Sequence, residues 1–349
     1  MANVMTVQGP IENSQMGITM PHVHLLSGLF GFDSPQEANR QFLSKQSISM
    51  EMLGTVRRNY TMVRDMLSLS DVELAVEELM HYKRLGGSTV AECSVQNIGR
   101  DPIGLKKISG ATGVHIICST GSHVDMRQDE KTRSSTVEQL QSVMSHELMV
   151  GIGTTGVRAG FIKVACSSKN ESLAYTGNEE NILRAAARVQ KQTGVALTIH
   201  PAHNYGRSRP YDVYLQLLKQ EKVDMNRVYL SHADFWSSQI EYLEAIASQG
   251  ITLSFDQYGN EFYAAPGIAY EADRNRTNAI CHLLKKGYVS QIVLSNEVAW
   301  KARLCKYGGN GYGYLLEYVL QDFRYFGVTE EQIHQMLVVN PSRLFLHSL

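Results

Sequence analysis

An α/β fold, a closed (β/α)8 TIM-type barrel formed as one domain by residues 1–349, is what this sequence predicts, on three observations. Eight short apolar runs recur along the chain, longer stretches with helical periodicity fill the gaps, and no linker rich in Pro, Gly or Ser interrupts the series. An open doubly wound sheet is the competing architecture. It is disfavoured because the first strand-to-helix connection carries no glycine-rich phosphate loop.

The runs are GITMPHVH (17–24), STVAECSV (88–95), VHIICSTG (114–121), GFIKVACS (160–167), VALTIH (195–200), RVYLSH (227–232), ITLSFD (251–256) and QIVLSNE (291–297). Between them, helical spacing of apolar residues appears in 71–87, 135–151, 178–194, 211–222, 237–250 and 278–288. Several of these stretches stop at Gly just before the next run, as a helix C-terminus should. Residues 27–75 form a long insertion after the first strand, predicted to hold short helices, and long loops also follow strands seven and eight. In a barrel such loops sit on the face where sites are built.

Bulk properties narrow the function. With 43% hydrophobic and 19% charged residues the chain can bury a large core, and a formal net charge of -1 without Lys/Arg blocks gives no reason to expect nucleic acid or an anionic membrane as partner. The N-terminal residues lack the basic start and apolar core of a secretion signal, so a soluble, cytoplasmic protein with a small-molecule substrate is expected. Cys93, Cys118, Cys166, Cys281 and Cys305 form no CxxC pair and are read as reduced thiols.

Metal-binding residue types gather at the ends of the strands. His22 and His24 are two apart on strand one, so both rings project from one side while Val23 projects from the other. Strand four carries Lys163, strand five ends in His200, strand six in His232, and strand eight in Asn296 and Glu297. A barrel directs all these ends to one mouth. Lys163 lies among apolar residues, where an ammonium is costly. It would either pair with a strand-end acid or, carbamylated by carbon dioxide, become an anion able to bridge two cations.

HxH on strand one, Lys on strand four, His on strands five and six and an acid after strand eight resemble the phosphotriesterase family of the amidohydrolase superfamily, over nearly the whole chain. RAGFIKVACSS resembles the bridging-lysine segment of phosphotriesterases and related lactonases, and KARLCKYGGNGYGYLL is more similar to phosphotriesterase-related proteins. The resemblance implies two divalent ions, zinc from the imidazole-rich set with manganese or cobalt as substitutes. It implies that His22 and His24 hold the more buried ion, His200 and His232 the more exposed one, and carbamylated Lys163 bridges them, with water activated between the ions as nucleophile. It also implies a homodimer.

Two positions depart from the family. Glu297 stands where relatives usually have Asp, keeping the carboxylate on a longer arm, and is expected to ligate metal or act as general base. Val23 stands where many relatives have Glu, and should alter packing rather than ligation. Asp234 and Asp256 could orient ligands or relay protons, His123 could touch substrate, and His203 is read as loop structure. In the last two long loops Arg274, Arg276, Lys301, Arg303 and Lys306 would favour an anionic substrate if they point inward, with Tyr258 and Trp300 among the aromatics of an apolar wall. The expected activity is hydrolysis of a carboxylic ester or lactone, with phosphoester hydrolysis as a side activity. Hydrolysis of an N-acyl amide or a phosphorylated sugar lactone is the alternative, and a ligand-binding barrel weakened by Glu297 is the second.

Overall fold

Every one of the eight apolar runs becomes a parallel strand: β1 (Ile18–Val23), β2 (Gly87–Glu92), β3 (His115–Ser122), β4 (Phe161–Ala165), β5 (Ala196–His200), β6 (Val228–Leu230), β7 (Thr252–Phe255) and β8 (Ile292–Leu294). They lie in chain order in one sheet. The computed structural model describes residues 3–28, 38–168, 174–265 and 268–347. Between β8 and β1 the ring is drawn together by Ser295, whose Oγ donates to the His22 carbonyl at 2.6 Å, and by His24 N, which donates to the Val298 carbonyl at 3.3 Å. The result is a nearly closed (β/α)8 barrel.

Strand alternation decides what fills it. Ala91, Cys93, Phe161, Ala196, Tyr229 and Val293 point inward and pack with Leu344 and Phe345 of the C-terminal helix and Val4 of an N-terminal hairpin. The intervening Val90, Ile162, Val164, Leu197 and Ile199 face the surrounding helices. Burial of each such side chain contributes roughly 1.5–3 kcal/mol, so register is firmly held. The inward positions above this apolar floor are Lys163, two residues beyond Phe161, and Thr198 and His200, beyond Ala196.

Helices α1 (Val72–Arg84), α2 (Pro102–Thr112), α3 (Val137–Met149), α4 (Glu179–Thr193), α5 (Tyr211–Glu221), α6 (Ile240–Ala247), α7 (Asp273–Lys285) and α8 (Leu320–Tyr325) cover the outside. Side-chain caps from Asp71 to Leu74 N and from Thr136 to Gln139 N start α1 and α3. Helix α2 is absent from the stretches that periodicity picks out, because Gly104 and Gly110 dilute its pattern; Asp101, which caps it, and Pro102 in its first turn were the available signal. Among the described residues no helix is long and apolar enough to cross a membrane.

The insertion after β1 does contain short helices, including Leu53–Arg58 and a turn at Arg64–Leu67; its residues 29–37 lie outside the described residues. Val56, Val63 and Met66 pack with Phe262, Ala299 and Trp300 from the last two long loops, forming a separate apolar cluster over the mouth. All five cysteines are free thiols.

Candidate metal centre and substrate cavity

Three imidazole nitrogens face one carboxylate oxygen at the mouth of the barrel. Nε2 of His22, His24 and His232 lie 3.2, 3.7 and 3.6 Å from Glu297 Oε1. The opposite nitrogen of each ring is already engaged: Nδ1 of His22 and His232 with Asp256 at 2.9 and 2.6 Å, and Nδ1 of His24 with Ser94 Oγ at 2.8 Å. This arrangement fixes each ring and leaves Nε2 directed at a common point, which is how histidines are prepared to hold a metal. His22 Nε2 is buried without a hydrogen bond. His200 Nδ1 meets His232 Nε2 at 2.7 Å, completing a continuous row of imidazoles.

The donor set fits a divalent cation. His22, His24 and Glu297 offer ligand atoms within 4.8 Å of one another, as do His22, His232 and Asp256. Imidazole nitrogen with carboxylate oxygen suits zinc, and also manganese or cobalt. Local charge agrees: burial opposes ionisation of Glu297, yet His232 and His22 hold its pKa well below the usual carboxylate range. Burial likewise opposes a charge on His22, but Cys93, Asp256 and Glu297 raise its pKa well above the ordinary value. The Asp256 and Glu297 carboxylates therefore call for positive charge at this point, which a divalent ion would provide without protonating a ligand. Burial, followed by His232, drives His200 well below its ordinary pKa, and burial lowers His24 to about 4, so both rings are neutral at neutral pH.

Backbone geometry serves the same end. His232 and Glu297 adopt φ of 61° and 24°, in the left-handed region that non-glycine residues avoid. Such strain persists where surrounding contacts enforce it. Here His232 N donates to Asp256 Oδ1 at 3.1 Å, and the Glu297 carboxylate accepts from Gln257 Nε2.

Lys163 lies in the same layer, 1% exposed, with Nζ donating to the Cys93 carbonyl at 3.3 Å. Among the described residues it forms no salt bridge. Opposite it on β3 is Gly121, at φ 126°, where an added Cβ would stand 2.0 Å from the Lys163 carbonyl oxygen, so strand contact at the lysine requires glycine. Glu92 is fully buried and receives Leu25 N at 3.2 Å and Ser94 N at 3.0 Å, tying the His24 strand end to the serine that orients its ring. Burial raises Glu92 to about 7.

Above these groups is a cavity of about 260 Å³. Its floor includes His24, His200, His232 and Glu297, and its walls include His123, Arg127, His203, Phe235, Tyr270 and Trp300. Trp300 stacks on Tyr60 at 5.0 Å, and His203 on Phe235 at 3.9 Å. His123 and Trp300, considered for substrate contact, thus line the cavity.

The loop cations do not. Arg276 is buried and bonded to Asp234, to Asp273 and to the Asn260 carbonyl. Arg303, lowered to about 10 first by burial and then by Arg276, donates to the carbonyls of Tyr258 and Asn296 at 2.7 and 2.6 Å. Lys301 pairs with Asp65 at 2.6 Å, and Arg274 is exposed on α7. Tyr258 is wholly buried against Thr277. Asp234 is buried behind the site, accepting from Asp256 N and Gln257 N. Arg276, Arg303, Lys301, Tyr258 and Asp234 thus hold the loops over the mouth together instead of lining the cavity. Ser94, Glu92, Gln257 and Arg127 escaped sequence reasoning: alternation from the inward Ala91 and Cys93 gives Glu92 and Ser94 no inward signal, and Arg127 and Gln257 had no local signature.

The Phosphotriesterase family model matches residues 2–345. An N-acetyltaurine hydrolase from Rattus norvegicus is 32% identical, covering 97% of this chain and 97% of that one. A crystal structure described as a resiniferatoxin-binding protein from Rhodobacter sphaeroides shares 31% identity at a TM-score of 0.93, covering 98% of this chain and 94% of the other. A weak promiscuous lactonase template, engineered for organophosphate hydrolysis, shares 26% identity at a TM-score of 0.75, covering 98% of this chain and 99% of the other.

Proposed function

This chain belongs to the phosphotriesterase family, and from that premise we propose that it is a metal-dependent hydrolase cleaving the amide bond of a small N-acyl compound. The observation that carries the reading is the focus of three imidazole nitrogens on Glu297 beneath a cavity of about 260 Å³. Relatives named N-acetyltaurine hydrolase that match end to end support an amide over the ester or lactone expected first. The lactonase template, at 26% identity, keeps lactone hydrolysis as the second reading.

His22 and His24 would hold one ion and His200 and His232 the other, with Lys163 and Glu297 completing the set. Bound metal would supply Lewis acidity, easing loss of a water proton and polarising the acyl oxygen. Lys163 would join this set as a carbamate, its Nζ adding to carbon dioxide with loss of a proton, which its lack of a salt bridge among the described residues favours. Glu297, kept ionised, accepts the proton of the attacking water and returns it to the departing nitrogen. The carbonyl carbon gains the oxygen, the C–N bond breaks, and a carboxylic acid and an amine leave. Gln257 steadies the second oxygen of Glu297 from its Nε2. His22 and His232 are steadied in turn by Asp256.

Elemental analysis of the purified protein, with turnover measured on an N-acyl amide, a lactone and an aryl ester, tests the reading. About two ions per chain and fastest turnover of the amide are expected. Glu297→Gln should lower kcat by about 10²–10⁴ if the carboxylate moves the proton. Stoichiometric metal with no amide turnover, or a Glu297→Gln variant as fast as the parent, would overturn it.

A further inference from the structure

Arg127 is the one Lys or Arg side chain among the described residues lining the cavity. Its chain neighbours Val124 and Met126 line the same cavity, as do Ala299 and Trp300. A guanidinium at an otherwise apolar and aromatic wall presents a planar fork of donors suited to an oxyanion. None of the loop cations that the sequence offered for this task, Arg274, Arg276, Lys301, Arg303 and Lys306, is among the residues lining the cavity.

The segment bearing Arg127 is built to hold it still. It ends a short turn, Asp125–Arg127, directly after β3, with Arg127 N donating to the Val124 carbonyl at 2.9 Å. Asp125 N donates to Glu179 Oε1 at 2.8 Å, and Gln128 Nε2 to the His123 carbonyl at 2.9 Å. Glu179 is itself 1% exposed and also receives Ser167 N and Thr176 N, so the loops after β3 and β4 are tied to the start of α4. A loop fixed at several points can place a charge for recognition with little loss of freedom on binding. A second donor, Trp300 Nε1, is buried on the cavity wall without a hydrogen-bond partner, and the indole is held by Tyr60 and by Phe262 at 5.9 Å.

We propose that Arg127 is a specificity-determining residue that binds an acid group, sulfonate or carboxylate, on the amine portion of the substrate. This rests on the amide-hydrolase reading for the identity of the scissile bond, but not for the binding of the anion. The acid tail would sit at the β3 side of the cavity while the acyl group lies over the imidazoles. Substrates lacking the acid would fill the same space without the charge-assisted contact.

The test titrates N-acetyltaurine, N-acetyl-β-alanine and the neutral N-acetylpropylamine into the metal-loaded protein and into Arg127→Met and Arg127→Lys. Binding is followed by the fluorescence of Trp300, with Trp236, fully buried behind the site, as constant background, and amide cleavage is assayed in parallel. In the parent, the acids should bind about 10–100-fold more tightly than the neutral amide, as a charged hydrogen bond allows. Arg127→Met should bring that ratio close to one, and Arg127→Lys should restore part of it. Stronger preference for N-acetyltaurine than for N-acetyl-β-alanine would identify sulfonate as the preferred acid, and the reverse would identify carboxylate. A parent that prefers neither acid to the neutral amide, or an Arg127→Met ratio equal to the parent's, overturns the proposal. Acid-selective binding lost in Arg127→Met without cleavage of any amide would uphold it while sinking the amide-hydrolase reading.

Discussion

Replacing Asp256 with Ala should strip the site of metal while leaving the proposed ligands in the chain. The carboxylate is fully buried and accepts from His22 Nδ1 at 2.9 Å, His232 Nδ1 at 2.6 Å, His232 N at 3.1 Å and Ser254 Oγ at 3.0 Å. Its removal frees two imidazoles to rotate and leaves a backbone N–H at a strained residue without its acceptor. Loss of one such outer contact costs about 10–100-fold in metal affinity, so two independent rings imply roughly 10²–10⁴-fold. Each orphaned buried donor adds about 1–3 kcal/mol against folding. Asp256→Asn retains the volume and one acceptor oxygen, but turns an NH2 toward an imidazole, and should fall between the two. The assay is retained zinc against increasing chelator, with circular dichroism to verify folding. Folded Asp256→Ala that gives up zinc at the same chelator concentration as the parent would refute the claim that Asp256 orients the ligands.

Other expectations follow from the same geometry. Lys163→Ala should lose both ions, and the parent grown with isotopically labelled bicarbonate should show a labelled carbamate by NMR; retention of two ions in the variant counts against a bridge. Gly121→Ala should destabilise the fold by about 3 kcal/mol or more in urea unfolding, since φ 126° and a 2.0 Å approach to the Lys163 carbonyl leave no room for Cβ; an unchanged midpoint would contradict that contact. His347, whose backbone pairs with Asn3, is lowered to about 4 by burial and then by Arg158 and Arg227. Because its pKa is lower folded than unfolded, protonation favours the unfolded chain and stability is lost as pH falls from about 6.5 towards 4. His347→Asn should therefore lose less stability than the parent between about pH 7 and pH 4.5, compared by urea midpoints at the two values; equal losses would remove His347 from the acid response.

Much of the site was legible because it rides on strand alternation. His22, His24, Lys163 and His200 are inward positions of β1, β4 and β5, and a two-residue period read along the chain finds them without any tertiary information. Glu297 follows β8 on the parity of the inward Val293, whereas His232 lies off the parity of the inward Tyr229, after β6, where its backbone turns left-handed at φ 61°. Helix α2 escaped because two glycines weaken its apolar stripe. Loop side chains escaped for a different reason. Arg276 and Arg303 carry the same charge as Arg127 and sit in long loops over the mouth, yet the first two turn into a buried network with Asp234, Asp273 and backbone carbonyls.

The eight-stranded barrel and the line of metal-binding types at its strand ends can be read from the chain alone, since periodicity and strand ends are local properties. The folded chain alone reveals that Asp256 orients two imidazoles, that Ser94 orients a third, that Gln257 steadies Glu297 and that Arg127 lines the cavity. Those assignments depend on which partner a side chain reaches across the mouth. That choice is set by packing and by the cost of leaving a buried charge unpaired, neither of which spacing along the chain records.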